Sequence, residues 1–556
     1  MKTYIIKNVK RLANKILPVL LVTFLLNSCD KSFLDETPKS FMNSEVVLSN
    51  VAGFESAIAG LCANARSEMK NDVNEVFIQH IGTDIATSGD PAISAYKDYR
   101  VTLTPTNTGD ASVVLYWDWA YLSVLPLANT IIEYAESPNM KWDSEAQKNS
   151  YIAEAKFFRA YAHNMLTNLY GDIPIANQLY KKPKLDFVRS PRADVLNFIK
   201  EDLIFASQWL PAIPAKDGRV PKAAADHLLS EVYISLSQYD NAIKSATDVI
   251  GSGVYHLMTE RFGNFKTQPG DVYSDLFRDN NQNRSSGNME TIFSYQIEYQ
   301  TTGGMGEWGG TGWTANAYIR AWGPRAWAQK DYDGNAGMVI CDSLGRGVGW
   351  VRPCSYYLYD VWKDNWNNDI RNSKYNIRRT HIWNNSASKY FLQAVNVPRL
   401  LSTVGVDTMQ FIYPTVRKIE GKALAGAANG HTFKEYPIMR LAETYLLRAE
   451  AYLLKGDKQK AADDINQVRS RAKAKPVVAA DVTIDYILDE RARELIVEEP
   501  RRKTLSRMGK LVERVRKYNM RQSTRETIQD YHQWLPIPQK AIDANQGAVL
   551  TQNPGY

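Results

Sequence analysis

Apolar residues recur at helical spacing through much of the chain. In residues 44–70, Val47, Val51, Phe54 and Ile58 follow one another at intervals of three and four, which places them on one face of a helix. The same pattern predicts helices or helical hairpins over residues 115–137, 150–170, 221–236, 239–251, 434–473 and 483–498. The sequence therefore predicts a mostly α protein.

Local signals set the ends of several helices. Gly171 follows the apolar stripe of residues 150–170 and predicts a stop there. Ser190 followed by Pro191 predicts the next helix start, with the serine as N-cap. Pro126 predicts a kink or interruption within residues 115–137.

Two of the predicted hairpins resemble each other. Leu228 aligns with Leu447 and Glu231 with Glu450 at one offset of 219 residues (447 − 228). Each hairpin has a tight turn and an Ala-rich second helix, which is typical of a tetratricopeptide repeat. The alternative is two unrelated helical hairpins. We expect a tetratricopeptide-like superhelix of helical hairpins.

The helical pattern weakens between the two hairpins. From residue 252 to residue 433 Gly, Asn and Trp become frequent, and runs such as GGMGEWGGTGW (303–313) are typical of loops. The predicted organisation is a signal at 1–28, a tether at 29–43, a helical-repeat part at 44–251, a loop-rich aromatic insert at 252–433 and a helical part with a tail at 434–556.

The N-terminus has the features of a bacterial lipoprotein signal. Residues 1–15 are basic, residues 16–26 form an apolar run of 11, and Leu26-Asn27-Ser28 precede Cys29. The run is too short to span a bilayer, which takes about 20 residues. We expect cleavage before Cys29 and lipidation of its thiol, because several acyl chains anchor a protein stably. An ordinary secretory signal is the alternative.

Composition and charge narrow the function classes. The chain has 556 residues, 44% of them hydrophobic and 23% charged, which is typical of a globular protein. The net charge of +7 includes five basic residues of the signal, so the rest carries 62 basic (67 − 5) against 60 acidic residues. This balance, without a later basic run, argues against a nucleic-acid surface.

No motif of a known catalytic or metal site stands out. Cys62, Cys341 and Cys354 lack metal-ligand spacing, and the last two either pair or stay free. The sequence lacks an H-E-x-x-H zinc motif, a G-x-S-x-G elbow and a phosphate loop. We expect no enzyme and no cofactor. Asp331 and Asp342 lie in a stretch that departs from an EF-hand, although a structural calcium ion there stays open.

Tryptophans concentrate in the least helical part of the chain. Eight of the 13 Trp lie between residues 308 and 383. We expect ligand contacts from Trp308, Trp313, Trp322 and Trp327, the first two because their Gly-rich setting leaves an aromatic plane uncovered. An exposed aromatic plane packs on the C–H face of a sugar while polar side chains bind its hydroxyls. The alternative is that these rings fill an irregular core.

The motifs together resemble the SusD/RagB-like outer-membrane lipoproteins of Bacteroidetes. The resemblance covers nearly the whole chain after Cys29 and rests on segments in the family's order: AEAKFFRAYAHNMLTNLYGDIPI (153–175), the hairpins at 218–250 and 434–472, ILDERARELIVEEPRRKTLSRMG (487–509) and LPIPQKAIDANQGAVLTQNPGY (535–556). The resemblance implies a SusD-like helical fold.

The resemblance also implies a function and a partner. It implies a surface lipoprotein of the outer membrane that captures glycans for a SusC-like TonB-dependent transporter. A RagB-like peptide binder, a repeat scaffold for proteins and a cryptic glycoside hydrolase are the alternatives. The resemblance further implies ligand contacts from the loop at 82–100, which offers Asp84, Asp90, Tyr96 and Arg100.

Charged residues also follow the predicted helices. Arg159, Glu490, Arg491, Arg493 and Glu494 are expected to form ion pairs on helix surfaces. Such pairs contribute a few tenths of a kcal/mol each.

Overall fold

The computed structural model describes residues 44–69, 74–109, 112–299, 301, 303–306, 317–422 and 430–556. The predicted signal, the lipidation site at Cys29 and the tether lie outside these residues. About half of the described chain is helical, so the mostly α class is confirmed.

Helices dominate the first part of the described chain. They are α1 (Ser44–Val47), α2 (Val51–Arg66), α3 (Asn74–His80), α4 (Tyr99–Thr102), α5 (Leu115–Asp118), α6 (Leu125–Ala135), α7 (Glu145–Tyr170), α8 (Arg192–Trp209), α9 (Lys222–Ser235) and α10 (Tyr239–Ile250), with strand β1 (Ala86–Ser88) between α3 and α4. The helices predicted over 115–137, 150–170, 221–236 and 239–251 are present, whereas the single helix predicted over 44–70 is divided at residues 48–50 into α1 and α2.

The long helix α7 begins earlier than predicted. The Ser144 side chain accepts a hydrogen bond from the Gln147 amide and caps the first turn. The predicted stop is confirmed, since Gly171 ends the helix at φ +76°. The predicted N-cap of α8 is wrong: Pro191 occupies that position, and Ser190 instead forms a β-bridge with Ile173.

The predicted interruption of residues 115–137 takes the form of a π-helical segment. Residues Trp119–Val124 form it between α5 and α6, and Pro126 lies in the first turn of α6. Proline cannot donate a backbone hydrogen bond, and it is tolerated at a helix start. The helix pattern therefore changes register just before the proline.

The described part of the insert contains short elements, and its strands form two-stranded sheets. After α10 come α11 (Val272–Asp275), β2 (Thr291–Tyr295), β3 (Glu298–Tyr299), β4 (Met305–Gly306), α12 (Tyr318–Trp322), β5 (Val351–Pro353), α13 (Ser355–Leu358), β6 (Ile377–Arg378), α14 (Val397–Thr403) and β7 (Thr415–Val416). β1 pairs with β5 and β6 with β7, both antiparallel, while β3 and β4 run parallel.

The last part of the chain begins with a strand. β8 (Tyr436–Arg440) precedes α15 (Leu441–Lys455), α16 (Lys458–Arg471), α17 (Ile484–Leu495), α18 (Arg501–Arg507), α19 (Leu511–Tyr518), α20 (Gln522–Thr527) and α21 (Gln539–Ala544). The predicted hairpin at 434–473 is wrong at its start, because β8 pairs antiparallel with β2. This partner is more than a hundred residues away, so local periodicity does not reveal it.

The two repeat-like hairpins pack against each other. Ile234 and Ala242 of the first hairpin share a buried cluster with Leu447 and Ala451 of the second. Small side chains let the helices approach closely, as a tetratricopeptide-like repeat requires. The insert thus lies in sequence between two hairpins that are neighbours in space.

The charged residues of α17 are not on the surface, so that expectation is wrong. Glu494 is fully buried and receives hydrogen bonds from Arg371, Arg440 and Arg471. The guanidinium groups outweigh burial and hold the pKa of Glu494 at about 2. This network joins α17 to the insert, β8 and α16. Arg159 is likewise buried, where it pairs with Asp202 of α8 at 2.7 Å.

The described fold contains three cysteines. Cys62, Cys341 and Cys354 are free thiols. None of the helices in the described ranges has the length and apolar character needed to cross a membrane.

Candidate functional site

Two of the four predicted ligand tryptophans, Trp308 and Trp313, lie outside the described residues. Trp322 lies within them and is only 1% exposed. Its ring packs edge-on against the His80 ring, with centroids 5.1 Å apart. Trp322 is therefore a core residue, and its prediction as an exposed stacking platform is wrong.

Asp84 and Tyr96 are also buried, which contradicts their expected contact with a ligand. Asp84 pairs with Arg501 at 2.6 Å and with Arg514 at 2.7 Å. The two guanidinium groups outweigh burial and hold the pKa of Asp84 at about 2. Tyr96 lies with its ring centre 4.0 Å from the Arg502 guanidinium. Both residues attach the 82–100 loop to α18 and α19.

Asp90 and Arg100 remain accessible, but their surroundings differ. Asp90 is half-buried in the turn after β1, and its Oδ1 accepts a hydrogen bond from the Ala92 amide. Arg100 is exposed on α4 and pairs with Asp98 at 3.1 Å. Arg100 is thus paired with the N-cap residue of its own helix.

Three turns of the insert meet beside β1. The Val348 amide donates to the Arg320 carbonyl, and the Gly349 amide donates to the Gly323 carbonyl. The Gln410 side chain donates to the Val348 carbonyl at 3.0 Å. Because β1 pairs with β5, the turn that carries Asp90 joins the same surface.

Glycine is required where these turns touch. A Cβ on Gly347 would lie 2.4 Å from the carbonyl oxygens of Gly323 and Pro324. Gly349 has φ +69°, and a Cβ there would lie 2.7 Å from the Gln410 carbonyl oxygen. The close backbone contacts hold the side chains that flank these glycines in place.

Two tryptophans and three arginines line this surface, which we call the aromatic–arginine face: Arg320, Arg325, Trp327, Arg346 and Trp350. All five side chains are half-buried. The guanidinium carbons of Arg325 and Arg346 lie 5.4 and 5.2 Å from the Trp327 ring centre. That of Arg320 lies 4.9 Å from the Trp350 ring centre.

Each indole of the face is held from its inner side. Trp327 Nε1 donates to the Gly347 carbonyl at 2.8 Å. Trp350 packs edge-on against the buried ring of Phe77, with centroids 5.9 Å apart. Each ring is thus fixed at one edge and partly accessible elsewhere, as stacking on a ligand requires.

Sequence reasoning included Trp327 but missed the arginines and did not select Trp350. A signal was present in the chain, because Gly323-Pro-Arg325-Ala-Trp327 and Gly345-Arg346-Gly-Val-Gly-Trp350 both place Arg and Trp among glycines. Two separate Gly-Arg-Trp turns indicate a shared surface better than Trp density alone.

A second accessible aromatic group lies on the insert. Tyr359 and Trp366 are 44% and 41% exposed, and their ring planes are 10° from parallel, with centroids 6.2 Å apart. The Arg379 guanidinium lies 4.5 Å from the Trp366 ring centre. This pair provides an aromatic surface outside the aromatic–arginine face.

An apolar groove of about 340 Å³ separates α6, residues 174–187 and α21. Trp117, Tyr121 and Phe187 are among its lining residues. Its lining is mostly apolar. A sugar needs partners for its hydroxyl groups, so the aromatic–arginine face suits a sugar better.

In the segment where a structural calcium ion stayed open, the Asp331 carboxylate is bound by other groups of the protein. Asp331 Oδ1 accepts hydrogen bonds from the Asp333 and Asn335 amides, both at 3.0 Å, and Oδ2 accepts one from Ser388 at 2.6 Å. Within the described ranges, no group of three or more His, Cys, Asp or Glu side chains is arranged to hold a metal ion.

Family models match both parts of the chain. A model described as "SusD family" matches residues 275–556, which is half of the chain. A second, described as "Starch-binding associating with outer membrane", matches residues 32–234.

Relatives of known name match over most of their length. The chain is 25% identical to SusD-like protein P2 of Formosa agariphila, over 96% of this chain and 98% of that protein. It is 25% identical to the starch-binding protein SusD of Bacteroides thetaiotaomicron, over 74% of each.

Solved structures share the fold. A laminarin-binding SusD-like protein superposes with a TM-score of 0.68 at 22% identity, over 91% of this chain and 100% of the other. Surface glycan-binding protein A from Bacteroides fluxus does so with a TM-score of 0.66 at 20% identity, over 91% and 99%.

Proposed function

Because the chain belongs to the SusD family, we propose that it captures glycans at the outer-membrane surface and delivers them, without chemistry, to a SusC-like TonB-dependent transporter. Two relatives are named for binding starch and laminarin, and one family model is described as associating with the outer membrane. The ligand binds on the aromatic–arginine face.

The observation that carries this proposal is the pair of fixed, partly accessible indoles. Trp327 and Trp350 are each held at one edge, so stacking on a sugar orders little additional side-chain freedom. The guanidinium groups of Arg325 and Arg346 beside Trp327 supply hydrogen-bond donors for the sugar's oxygens. Trp308 and Trp313 remain predicted contributors from the segment that precedes α12.

Binding measurements on matched tryptophan variants test the site. We expect Trp327→Ala and Trp350→Ala each to weaken binding of a recognised polysaccharide about fivefold to thirtyfold, since stacking contributes roughly 1–2 kcal/mol. Trp366→Ala is the control, because Trp366 is also exposed but lies outside the face. Equal losses in all three variants would show that the face is not the site.

The starting ligands are laminarin, starch and a mixed peptide library, tested by affinity electrophoresis and calorimetry. Recovery of the glycan with unchanged chain length supports binding without hydrolysis. Shortened products would favour the glycoside hydrolase alternative, and binding of peptides alone would favour the RagB-like alternative. If the protein binds neither glycans nor peptides but captures a protein partner, the repeat-scaffold alternative would be favoured.

The proposed anchor is a lipidated Cys29. Cys29→Ala in cells should release the protein from the membrane fraction or leave it unprocessed, because the acceptor thiol is lost. Fractionation and immunoblotting measure this. Cys62→Ala is a matched control, since the Cys62 thiol lies within the described fold. Membrane association of Cys29→Ala equal to wild type would contradict the anchor.

A further inference from the structure

We propose that the glycan bound on the aromatic–arginine face is anionic, with carboxylate or sulfate groups on its sugar rings. This inference rests on the proposed function and adds the chemical class of the ligand. Its basis is the electrostatic state of Arg325 and Arg346.

Arg325 and Arg346 lack acidic partners. Within the described ranges, neither guanidinium has a carboxylate within 4.0 Å, and neither donates a side-chain hydrogen bond to another residue. Their contacts are with the Trp327 ring, and Arg325 also lies 5.6 Å from the Phe411 ring centre. Both guanidinium groups therefore keep their full donor capacity for a ligand.

Other arginines of the insert behave differently. Arg378 pairs with Glu420 at 2.6 Å, and Arg417 pairs with the same carboxylate at 2.8 Å. Arg371 is buried between Asp369 and Glu490. Other half-buried arginines of this region have no carboxylate partner but donate to backbone carbonyls, as Arg284 does to Val254 and Arg379 does to Leu358. Arg325 and Arg346 make neither kind of contact with the described residues, and this distinguishes them.

The acids on neighbouring turns are occupied by backbone amides. Asp407 Oδ1 accepts hydrogen bonds from the Met409 amide at 2.7 Å and from the Gln410 amide at 3.3 Å. Asp90 Oδ1 accepts from the Ala92 amide at 2.9 Å. These carboxylates stabilise turns, and neither forms an ion pair with Arg325 or Arg346.

The geometry suits an anionic sugar ring. A guanidinium binds a carboxylate or a sulfate through two parallel hydrogen bonds, and aromatic contact limits the orientations of its plane. Because the groups are half-buried, their attraction for an anion is screened less than on an open surface. The indole of Trp327 then packs on the sugar while the flanking cations bind its charged substituent.

The test compares charged and neutral polysaccharides with the full-length wild-type protein. Laminarin and starch are the neutral probes, polygalacturonate is the carboxylated probe, and iota-carrageenan is the sulfated probe. Polyglutamate controls for general attraction to polyanions. We expect at least one anionic polysaccharide to bind at least about tenfold more tightly than both neutral ones, and its affinity to fall when salt rises from 50 to 500 mM.

Arginine variants connect that preference to the face. Arg325→Gln and Arg346→Gln should each weaken binding of the anionic polysaccharide about fivefold to tenfold, and should weaken binding of any neutral polysaccharide by a clearly smaller factor, because a neutral sugar loses a hydrogen-bond donor but no ion pair. Arg346→Lys keeps the charge but not the paired donors, so it should bind the anionic polysaccharide more tightly than Arg346→Gln and less tightly than wild type. Arg100→Gln is the matched control, because Arg100 is an exposed cation that Asp98 already pairs.

The outcomes separate this inference from the proposed function. If polygalacturonate is the only polysaccharide that binds tightly, the ligand is carboxylated. If carrageenan is the only one, the ligand is sulfated. Binding of neutral polysaccharides only, unaffected by the arginine variants, overturns the anionic class and leaves glycan capture intact. Binding of no polysaccharide overturns both. Equal binding of polyglutamate, or an equal loss in Arg100→Gln, also overturns the anionic class.

Discussion

Replacing Asp84 by Asn should remove a large part of the protein's stability. Asp84 is fully buried and accepts hydrogen bonds from Arg501 at 2.9 and 2.6 Å and from Arg514 at 2.7 Å. Asn is nearly the same size but neutral, so Asp84→Asn leaves two buried guanidinium groups facing an amide. Breaking a buried ion pair from one side costs about 3–5 kcal/mol.

The pKa of Asp84 gives an independent magnitude. Arg501 and Arg514 outweigh burial and lower it from 3.8 to about 2. That shift corresponds to about 2 kcal/mol of folding free energy above the unfolded pKa, and this contribution disappears as pH falls through the folded pKa. The mutational cost should be larger, because Asn also leaves the arginines less well paired. We therefore expect a loss of about 3 kcal/mol at pH 7.

Guanidinium denaturation of the purified protein measures this loss. Asp90→Asn is the control: Asp90 is half-buried and lies in the same loop without an arginine partner, so we expect a change below about 0.5 kcal/mol. Between pH 4 and pH 2 the difference between wild type and Asp84→Asn should shrink. An Asp84→Asn variant as stable as Asp90→Asn, or a difference that does not depend on pH in that range, would refute the reasoning.

Two further predictions concern buried side chains. Trp322→Ala should destabilise the protein by about 3–5 kcal/mol, because the ring is buried beside His80. Thermal unfolding measures this loss. An unchanged unfolding midpoint would mean that the ring is exposed as a ligand platform instead. Burial raises the pKa of Glu68 to about 7, although Tyr295 and Tyr161 donate hydrogen bonds to it. The stability of wild type relative to Glu68→Gln should therefore fall by roughly 3 kcal/mol as pH rises from 4.5 to 7, in paired series of denaturation curves. A difference between the two proteins that stays constant across this interval would contradict the assignment.

Local sequence patterns predicted the helices because a helix is defined by neighbours along the chain. The apolar stripe of residues 150–170 and the helices of the two hairpins were correct for this reason, apart from the start predicted for the second hairpin. β8 was predicted as helix because its hydrogen-bond partners lie in β2, more than a hundred residues away. No window of contiguous sequence contains both strands.

The sequence pattern also does not reveal which charged side chains are buried. The pattern on α17 shows charges spaced along a helix, and it does not show that four arginines from three other regions cover Glu490 and Glu494. Asp84 looked like a loop residue for the same reason. Sequence reasoning placed a ligand surface in the Trp-rich insert, but only the contacts among turns single out Trp327 and Trp350.

The pairing of Asp84 with Arg501 has a consequence for the order in which the protein can fold. The two residues are 417 positions apart. A ribosome adds about 5–20 residues per second, so roughly 20–80 s pass between their synthesis. During that interval the Asp84 carboxylate has no arginine partner and must stay hydrated. The 82–100 loop therefore cannot adopt its final buried position. Asn553 ties the last residues to Tyr170 of α7 in the same way. The N-terminal helices can form early, but their final packing waits until the chain is almost complete.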